Sequence, residues 1–349
     1  MTAKPNTTKR VLSGIRATGR LHLGNYLGAV KGMLALQDDP EYQTFYMVAD
    51  AHTITTPYQV EELRKNRRAV ILDYLAAGLD PEKSVIFQQA AISEHFELAF
   101  YFSSVTTIAK MQHLPTFKDK VKQYPNHATM ALLNYPVLMA ADILIYMADR
   151  VPVGIDQEPH LEVTREIARR MNQDYGTNFP EPQRFATTGE YVPSLSGEGK
   201  MSKSVEGSFI NLTDDLATIQ QRLANAATDS GKGTIADEAD TKLKKIYTDA
   251  SGQRSDGVAR LLTFVELFEG TDQRAEYEQQ YTSTGIKYGQ LKQQLAQAIY
   301  KQLAPMQIKR HELENNASFV DQVIADGNAK AKAVAQTTIA QVKEKIGLG

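Results

Sequence analysis

The feature that most restricts the fold of this chain is an alternation of short apolar segments with helical segments in its first half. Four runs rich in β-branched residues predict strands, at Val11 to Ile15, Thr44 to Ala49, Ser84 to Phe87 and Arg150 to Val153. Residues 60–77 have the apolar spacing of a helix, and Gly78 follows as its predicted C-terminal cap. Apolar strands joined by helices indicate a parallel sheet covered on both faces, which binds ligands beyond the carboxyl ends of its strands. We therefore predict the α/β class, with a Rossmann-like doubly wound parallel sheet.

The pattern changes after about residue 205. Four later segments have helical spacing without a competing strand pattern, at residues 216–226, 257–268, 288–303 and 317–346. Thr213 is the predicted N-cap of the first of these helices. The length of 349 residues leaves room for two domains. We expect a catalytic domain over residues 1–205 and an all-helical domain over residues 206–349.

Composition excludes several classes of protein. The 39 Lys and Arg residues against 41 Asp and Glu give a net charge of −2, which excludes a uniformly basic nucleic-acid binder but not a local basic patch. The chain contains no cysteine, which excludes disulfides, thiol nucleophiles and cysteine-bound metal centres and fits a reducing cytoplasm. Because the sequence has no signal-peptide pattern and no apolar stretch of membrane-spanning length, we expect a cytoplasmic protein without a membrane partner.

A glycine-rich turn follows the first predicted strand. Residues 14–28 contain four glycines, and a helix beginning near His22 would point free backbone N–H groups at the carboxyl edge of the sheet. His22 and Asn25 are three residues apart, so both can donate to one anion such as a phosphate. The spacing matches neither the dinucleotide fingerprint nor the P-loop. A tight strand-to-helix turn with a polar cap explains the same residues, and both interpretations stay open.

A second motif, at residues 195–204, places two lysines after glycines. Lys200 and Lys203 carry their charges on long side chains, and the glycines leave the backbone free to move. Such cations suit neutralisation of the charge that develops as pyrophosphate leaves a triphosphate. The alternative is an exposed basic loop.

The segment from Tyr135 to Tyr146 has the residues of a pocket wall. Tyr135, Met139 and Asp142 share one helical face, and Pro136 is predicted in the first helical turn. Asp142 can accept a hydrogen bond from a donor on a flat apolar ligand, such as an indole N–H. A surface carboxylate, or one paired with an arginine, is the alternative.

The segment from Val151 to Gln157 combines a strand, a glycine turn and a helix start. This order places Asp156 and Gln157 where acceptors could meet a ribose hydroxyl and an ammonium group. Helix capping alone also explains Asp156.

These motifs together resemble a known family. TGRLHLGN near the N-terminus and KMSKS after residue 199 are similar to the two defining motifs of class I aminoacyl-tRNA synthetases, with Asn25 in place of the final histidine of the first motif. YPVLMAADIL and VPVGIDQ are similar to pocket segments of the tryptophanyl branch, and the resemblance covers essentially the whole chain. It implies activation of L-tryptophan with ATP to tryptophanyl-adenylate and pyrophosphate, followed by transfer to tRNA(Trp). The alternative is a tyrosyl-tRNA synthetase of the same class.

The resemblance also implies roles for individual residues. The expected catalytic residues are His22, Lys120, Lys200 and Lys203. The expected ATP contacts are Arg16, Ala17, Thr18, Gly24, Asn25, Gly154, Ile155, Asp156, Val192, Lys200, Met201, Ser202, Lys203 and Ser204. The expected tryptophan contacts are His52, Tyr135, Met139, Asp142, Val151, Val153 and Gln157. A core position for His52 and a solvated surface position for Lys120 remain alternatives, and residues 16–18 differ from the sequence usual in relatives.

Partners follow from the same resemblance. We expect ATP with Mg²⁺ but no metal site on the protein, tRNA(Trp) bound through its anticodon by residues 206–349, and a homodimer formed through an insertion at about residues 90–130. The C-terminal helices could pack back on the catalytic domain. A small-molecule adenylyltransferase would not require the helical domain, and a non-catalytic tryptophan sensor would not require His22, Lys200 and Lys203.

Overall fold

The chain forms two compact units. The computed structural model describes residues 8–186, 191–196, 199–203, 205, 207–236, 243 and 245–349. Within these residues, the first unit comprises residues 8–20, 29–186 and 312–349, and the second comprises residues 21–28 and those from 191 to 311. A single boundary after residue 205 does not describe this division. As functional domains, residues 1–205 and 206–349 stay predictions.

The first unit contains a five-stranded parallel sheet. Its strands are β1 (Lys9–Arg16), β2 (Tyr42–Ala49), β3 (Ser84–Gln88), β4 (Arg150–Pro152) and β5 (Gln183–Phe185). They pair in the order β3-β2-β1-β4-β5, which reverses direction at β1 as in doubly wound sheets. The predicted α/β class and four predicted strands are confirmed. The sequence pattern missed β5, because only three residues pair there with β4.

Helices make up most of the remaining chain. In the described residues they are α1 (Leu23–Asn25), α2 (Lys31–Gln37), α3 (Val60–Ala77), α4 (Glu94–Ser103), α5 (Ile108–His113), α6 (Pro115–Gln123), α7 (Met130–Leu144), α8 (Glu158–Tyr175), α9 (Leu216–Ala224), α10 (Asp256–Glu269), α11 (Thr271–Thr282), α12 (Tyr288–Glu314) and α13 (Ala317–Ile346). Helix α3 has the predicted bounds, and Gly78 caps it in the left-handed conformation at φ 109°. None of the described helices is long and apolar enough to cross a membrane.

Two helix predictions were wrong. Helix α7 begins after Thr129, whose side chain caps it, so Pro136 lies inside the helix and not in its first turn. Helix α12 continues past Pro305 to Glu314, eleven residues beyond the predicted end at residue 303. In α7 the helix runs through a proline that the sequence interpretation placed in the first turn, and in α12 it runs through Pro305 beyond the predicted end.

Several residues of the candidate site lie at the carboxyl edge of the sheet. Arg16 ends β1, and β2 runs directly into a short 3-10 turn that contains His52. Gln89 begins another 3-10 turn directly after β3, and Gly154 precedes a further one after β4. Because parallel strands end at the same edge, these residues come to one side of the sheet.

Helix α13 packs on the outer strand of this sheet and on α4. The carbonyl oxygen of Ile86 in β3 lies so close to Gly327 that no side chain fits there. Next to it, the side-chain oxygen of Asn328 accepts a hydrogen bond of 2.9 Å from the backbone N–H of Gln88. The C-terminal helix therefore covers an edge strand that would otherwise expose unpaired N–H groups.

The second unit contains α1, helices α9 to α11, most of α12 and a hairpin of β6 (Gly233–Ala236) and β7 (Ile246–Asp249). The expectation of helices alone after residue 205 was therefore wrong, since these four-residue strands are too short for a clear pattern. Asp215, not Thr213, caps α9 by accepting a hydrogen bond of 2.8 Å from the backbone N–H of Thr218.

Backbone hydrogen bonds explain why residues 21–28 belong to the second unit. The N–H of Leu23 donates to Ile210 at 2.9 Å, and the N–H of Leu212 donates to Leu21 at 2.9 Å. His22 and Asn211 thus form an antiparallel bridge. The first motif is attached directly to the segment that follows the lysine motif.

Candidate active site

The carboxylate of Asp142 is the centre of a buried polar network in the first unit. His52 Nε2 lies 2.8 Å from one oxygen, His95 Nδ1 lies 2.6 Å from the other, and Gln89 Nε2 donates to both at 2.9 Å. Burial alone would raise the pKa of Asp142, but the hydrogen bonds from the two histidines lower it to about 2. The side chain is therefore a buried, ionised acceptor whose charge is stabilised by neighbouring N–H donors.

Each donor to this carboxylate is itself held in place. The side-chain oxygen of Gln89 accepts from the backbone N–H groups of Ala51 at 3.1 Å and His52 at 3.3 Å. His95, on α4, has its second ring nitrogen 2.7 Å from the hydroxyl of Tyr146. Sequence reasoning missed Gln89 and His95. The position of Gln89 directly after a predicted strand was a usable signal, whereas nothing in the sequence marked His95.

Tyr135 adjoins this network. Its ring meets that of His52 edge-on, with 6.2 Å between the ring centroids. Its hydroxyl lies 2.7 Å from Nε2 of His160 and donates to the hydroxyl of Thr116 at 3.0 Å. The structure therefore brings together three of the predicted tryptophan contacts, Tyr135, His52 and Asp142.

Among the residues that the structure describes, the other four predicted tryptophan contacts make no hydrogen bond to the Asp142 network. Met139 and Val153 are half-buried against the apolar core, whereas Val151 is 2% exposed and lies within it. The side-chain amide of Gln157 donates to its neighbour Asp156 at 2.8 Å.

Two cations occupy the same unit. The guanidinium of Arg16 donates to the hydroxyl of Thr56 at 2.9 Å, and its buried Nε has no hydrogen-bond partner among the described residues. Burial lowers the pKa of Arg16. Burial also lowers the pKa of Lys120, and the charge of Arg16 lowers it further, so the two cations repel one another. A half-buried pair of this kind favours an anion as ligand.

The remaining ATP contacts predicted in the first unit flank the sheet edge. Ala17 is buried, and Thr18 is exposed with its N–H bonded to the carbonyl of Arg16 at 2.9 Å. Ile155 and Asp156 are exposed on the turn that Gly154 begins.

His22 lies beside both lysines of the second motif, within the second unit. Burial, together with the charges of Lys203 and Lys200, lowers the pKa of His22 to about 3, so the imidazole is neutral at pH 7. Its buried Nδ1 has no hydrogen-bond partner in the described part of the chain, and its backbone N–H donates to the Asn25 side chain at 3.2 Å. Gly24 is required here, since a Cβ at this position would be 2.9 Å from the imidazole.

A backbone hydrogen bond joins the lysine motif to the segment that precedes it. The N–H of Met201 donates to the carbonyl of Val192 at 2.8 Å, and both side chains are buried. Lys200 and Ser202 are half-buried, and Ser204 lies outside the described residues. The described residues include no group of three or more His, Asp or Glu side chains that could hold a metal ion.

The chain is similar to known proteins over nearly its whole length. The family described as tRNA synthetases class I (W and Y) matches residues 4–304. The tryptophan–tRNA ligase of Porphyromonas gingivalis is 37% identical over 97% of this chain and 98% of its own length. The crystal structure of tryptophanyl-tRNA synthetase from Mycoplasma pneumoniae has a TM-score of 0.82 and 32% identity, covering 98% of this chain and 99% of that one. The Campylobacter jejuni enzyme, complexed with ADP and tryptophan, has a TM-score of 0.78 and 30% identity, covering 97% and 100%. The chain therefore belongs to the class I tRNA synthetases, in the tryptophan–tRNA ligase branch.

Proposed function

We propose that this chain activates L-tryptophan with ATP and transfers the tryptophanyl group to tRNA(Trp). The observation that carries the substrate assignment is Asp142, a fully buried carboxylate held ionised by hydrogen bonds from His52 and His95. An indole N–H can add a further hydrogen bond to this charge, whereas the ring of phenylalanine has no donor for it and forgoes about 1.5–3 kcal/mol. The indole approaches from the His52 side, because His52 keeps 10% of its side chain exposed and His95 keeps none.

The rest of the tryptophan molecule has proposed partners in the same unit. Tyr135 and Gln157 accept hydrogen bonds from the ammonium group, and the indole ring packs on the apolar residues Met139, Val151 and Val153.

In the first unit, two positively charged side chains are proposed to bind the phosphates of ATP. Arg16 and Lys120 bind phosphate oxygens, and their mutual repulsion supports this assignment because an anion between two cations relieves it. Five further residues are proposed to contact the nucleotide here, namely Ala17, Thr18, Gly154, Ile155 and Asp156.

The second unit supplies the motif residues. His22 acts as a neutral N–H donor to a phosphate oxygen, which its pKa of about 3 supports. Lys200 and Lys203 neutralise the leaving pyrophosphate. The other proposed contacts in this unit are Gly24, Asn25, Val192, Met201, Ser202 and Ser204.

The proposed chemistry requires no nucleophile from the protein. A carboxylate oxygen of tryptophan attacks the α-phosphorus of ATP, the bond to the bridging oxygen breaks, and pyrophosphate leaves. The chain aligns the reactants and stabilises the developing charge, and Mg²⁺ bound to the ATP phosphates would share that charge. In the second step a hydroxyl of the terminal adenosine of the tRNA attacks the carbonyl carbon, and AMP leaves.

For the tRNA anticodon we propose a cleft of about 750 Å³ in the second unit, along α11 and α12. Its lining includes five glutamines, Gln273, Gln280, Gln290, Gln294 and Gln297. Amide side chains offer both donors and acceptors to unpaired base edges, whereas the charges of Lys287 and Lys301 are balanced by Glu269 and Glu276 in the same lining, so base recognition carries this proposal.

We also propose a homodimer. The predicted insertion carries Phe100, which is 77% exposed, together with exposed Phe96 and Ile108. Phe100→Asp should convert a dimer to a monomer in light scattering. Ile308→Asp, at an apolar position 64% exposed on α12, is the matched control that should leave the mass unchanged.

The proposed compartment is the cytoplasm, where tRNA and ATP are available for protein synthesis.

ATP–pyrophosphate exchange tests the proposed function. Exchange should depend on L-tryptophan and not on L-tyrosine, and tRNA(Trp) should become charged. Exchange with tyrosine alone would support the tyrosyl alternative, and no exchange with either amino acid would overturn the proposal.

A further inference from the structure

His160 is a buried histidine that no motif of the sequence singled out. It lies in the first turn of α8 and is 1% exposed. Nε2 is 2.7 Å from the hydroxyl oxygen of Tyr135 and 3.4 Å from the hydroxyl of Thr116. Its other ring nitrogen, Nδ1, is buried and has no hydrogen-bond partner within the described ranges.

This asymmetry fixes the tautomer of the ring. A proton on Nδ1 would be a buried N–H donor without an acceptor, which is unfavourable, whereas a proton on Nε2 has an acceptor within 2.7 Å. The proton therefore sits on Nε2, where it is donated to the oxygen of Tyr135. The hydroxyl of Tyr135 in turn donates its own proton to Thr116 at 3.0 Å.

The phenol oxygen of Tyr135 then has one lone pair left. Of its two acceptor sites, His160 occupies one, and its proton is directed at Thr116. Any cation that reaches Tyr135 meets an oxygen that can only accept.

We propose that His160 is a positioning residue for the amino group of the substrate, because its Nε2–H orients the hydroxyl of Tyr135 so that a lone pair faces the ammonium. This inference rests on the proposed role of Tyr135 as a partner of that ammonium.

The charge state of His160 agrees with this role. Burial lowers the pKa of His160 to about 4, the nearby His52 lowers it too, and Asp156 opposes both. The ring is neutral at pH 7, so it orients Tyr135 without placing a positive charge beside an ammonium group.

Binding of two ligands to the full chain tests the proposal. L-tryptophan and indole-3-propionate share the indole and the carboxylate, but only tryptophan carries an ammonium. The chain contains no tryptophan residue, so the fluorescence of either ligand can be followed directly. His160→Phe should weaken binding of L-tryptophan by about tenfold, the value of one lost hydrogen bond, and should leave indole-3-propionate nearly unaffected.

His160→Gln is the conservative variant, because its amide nitrogen can reach the position of Nε2, and it should recover most of the affinity for tryptophan. Thr116→Val removes the acceptor for the Tyr135 proton and should show the same selective loss, which provides a second measurement if His160→Phe does not fold. Equal losses for both ligands, or no loss for either, in His160→Phe and Thr116→Val would overturn the proposal.

Tyr135→Phe separates this inference from the proposed function. If Tyr135→Phe loses tryptophan selectively and the His160 and Thr116 variants do not, the positioning role is wrong and the role of Tyr135 stands. If Tyr135→Phe weakens both ligands equally, the proposed ammonium contact is wrong and the inference falls with it.

Discussion

At the scale of single residues, the neighbours of a buried ionisable side chain decide whether it is charged. Asp142 is surrounded by N–H donors, and its pKa falls to about 2 despite complete burial. His22 is also buried, but its neighbours are Lys200 and Lys203, and its pKa falls to about 3. One group is thus a fixed negative charge and the other a neutral donor at pH 7, and each suits a different part of the proposed reaction.

The first prediction concerns Asp142→Asn. The variant keeps the shape but replaces one acceptor oxygen by an NH₂ group that faces the donors His52, Gln89 and His95. We expect affinity for L-tryptophan to fall by about 10- to 100-fold, corresponding to 1–3 kcal/mol, with little change in KM for ATP. Pyrophosphate exchange measures both.

A tryptophan analogue with sulfur in place of the indole N–H provides the control. Wild-type protein should prefer tryptophan over this analogue, and Asp142→Asn should not. If the variant discriminates as strongly as the wild type, Asp142 does not recognise the indole nitrogen.

The second prediction concerns Lys203→Ala. Loss of a cation that acts on the leaving pyrophosphate should lower the single-turnover rate of adenylate formation by about 100-fold, without changing affinity for tryptophan. The variant should also raise the pKa of His22, since the charge of Lys203 depresses it. Stopped-flow kinetics and nuclear magnetic resonance of the imidazole measure the two effects.

Lys232→Ala removes one exposed positive charge elsewhere in the second unit and is the matched control. It should alter neither the rate nor the histidine titration. An unchanged rate in Lys203→Ala would remove the assigned role in pyrophosphate departure.

At the scale of elements, the apolar spacing of the sequence predicted those helices and strands whose ends are set by residues close in sequence. Helix α3 has its predicted bounds because apolar spacing and a terminal glycine agree. The hairpin of β6 and β7 was missed, since four-residue strands pair through the backbone and carry little pattern. In the site, the motifs identified His22 and Lys203, whereas His95 and His160 depend on contacts across 47 and 25 residues of sequence that no local pattern encodes.

The third prediction concerns the contact of α13 with β3. A Cβ at Gly327 would overlap the carbonyl oxygen of Ile86, so Gly327→Ala must push the helix off the strand. We expect the free energy of unfolding to fall by about 2–3 kcal/mol, measured by urea denaturation. Gly289→Ala is the control, because it lies in a helix with open space around it and should be neutral or stabilising by up to about 1 kcal/mol. Equal effects of the two substitutions would contradict the close approach.

At the scale of the whole molecule, each unit contains a buried neutral histidine. His22 in the second unit has a pKa of about 3, and His160 in the first has a pKa of about 4, against about 6.5 for an unfolded chain. Between these values the unfolded chain binds more protons than the folded one, so stability rises with pH. Both units should therefore lose stability as the pH falls below about 6.5.

The last prediction follows from this linkage. Lowering the pH from 7 to 5 should reduce the free energy of unfolding by about 2 kcal/mol for each of the two histidines, as urea denaturation at the two pH values would measure. Because glutamine does not titrate, His22→Gln and His160→Gln should each reduce the drop in unfolding free energy between pH 7 and 5 by about 2 kcal/mol. Asp142, with a pKa of about 2, is ionised throughout this range and does not contribute. If both variants lost as much stability as the wild type between pH 7 and 5, the two imidazoles would not be neutral in the folded protein, and the donor roles of His22 and His160 would fail together.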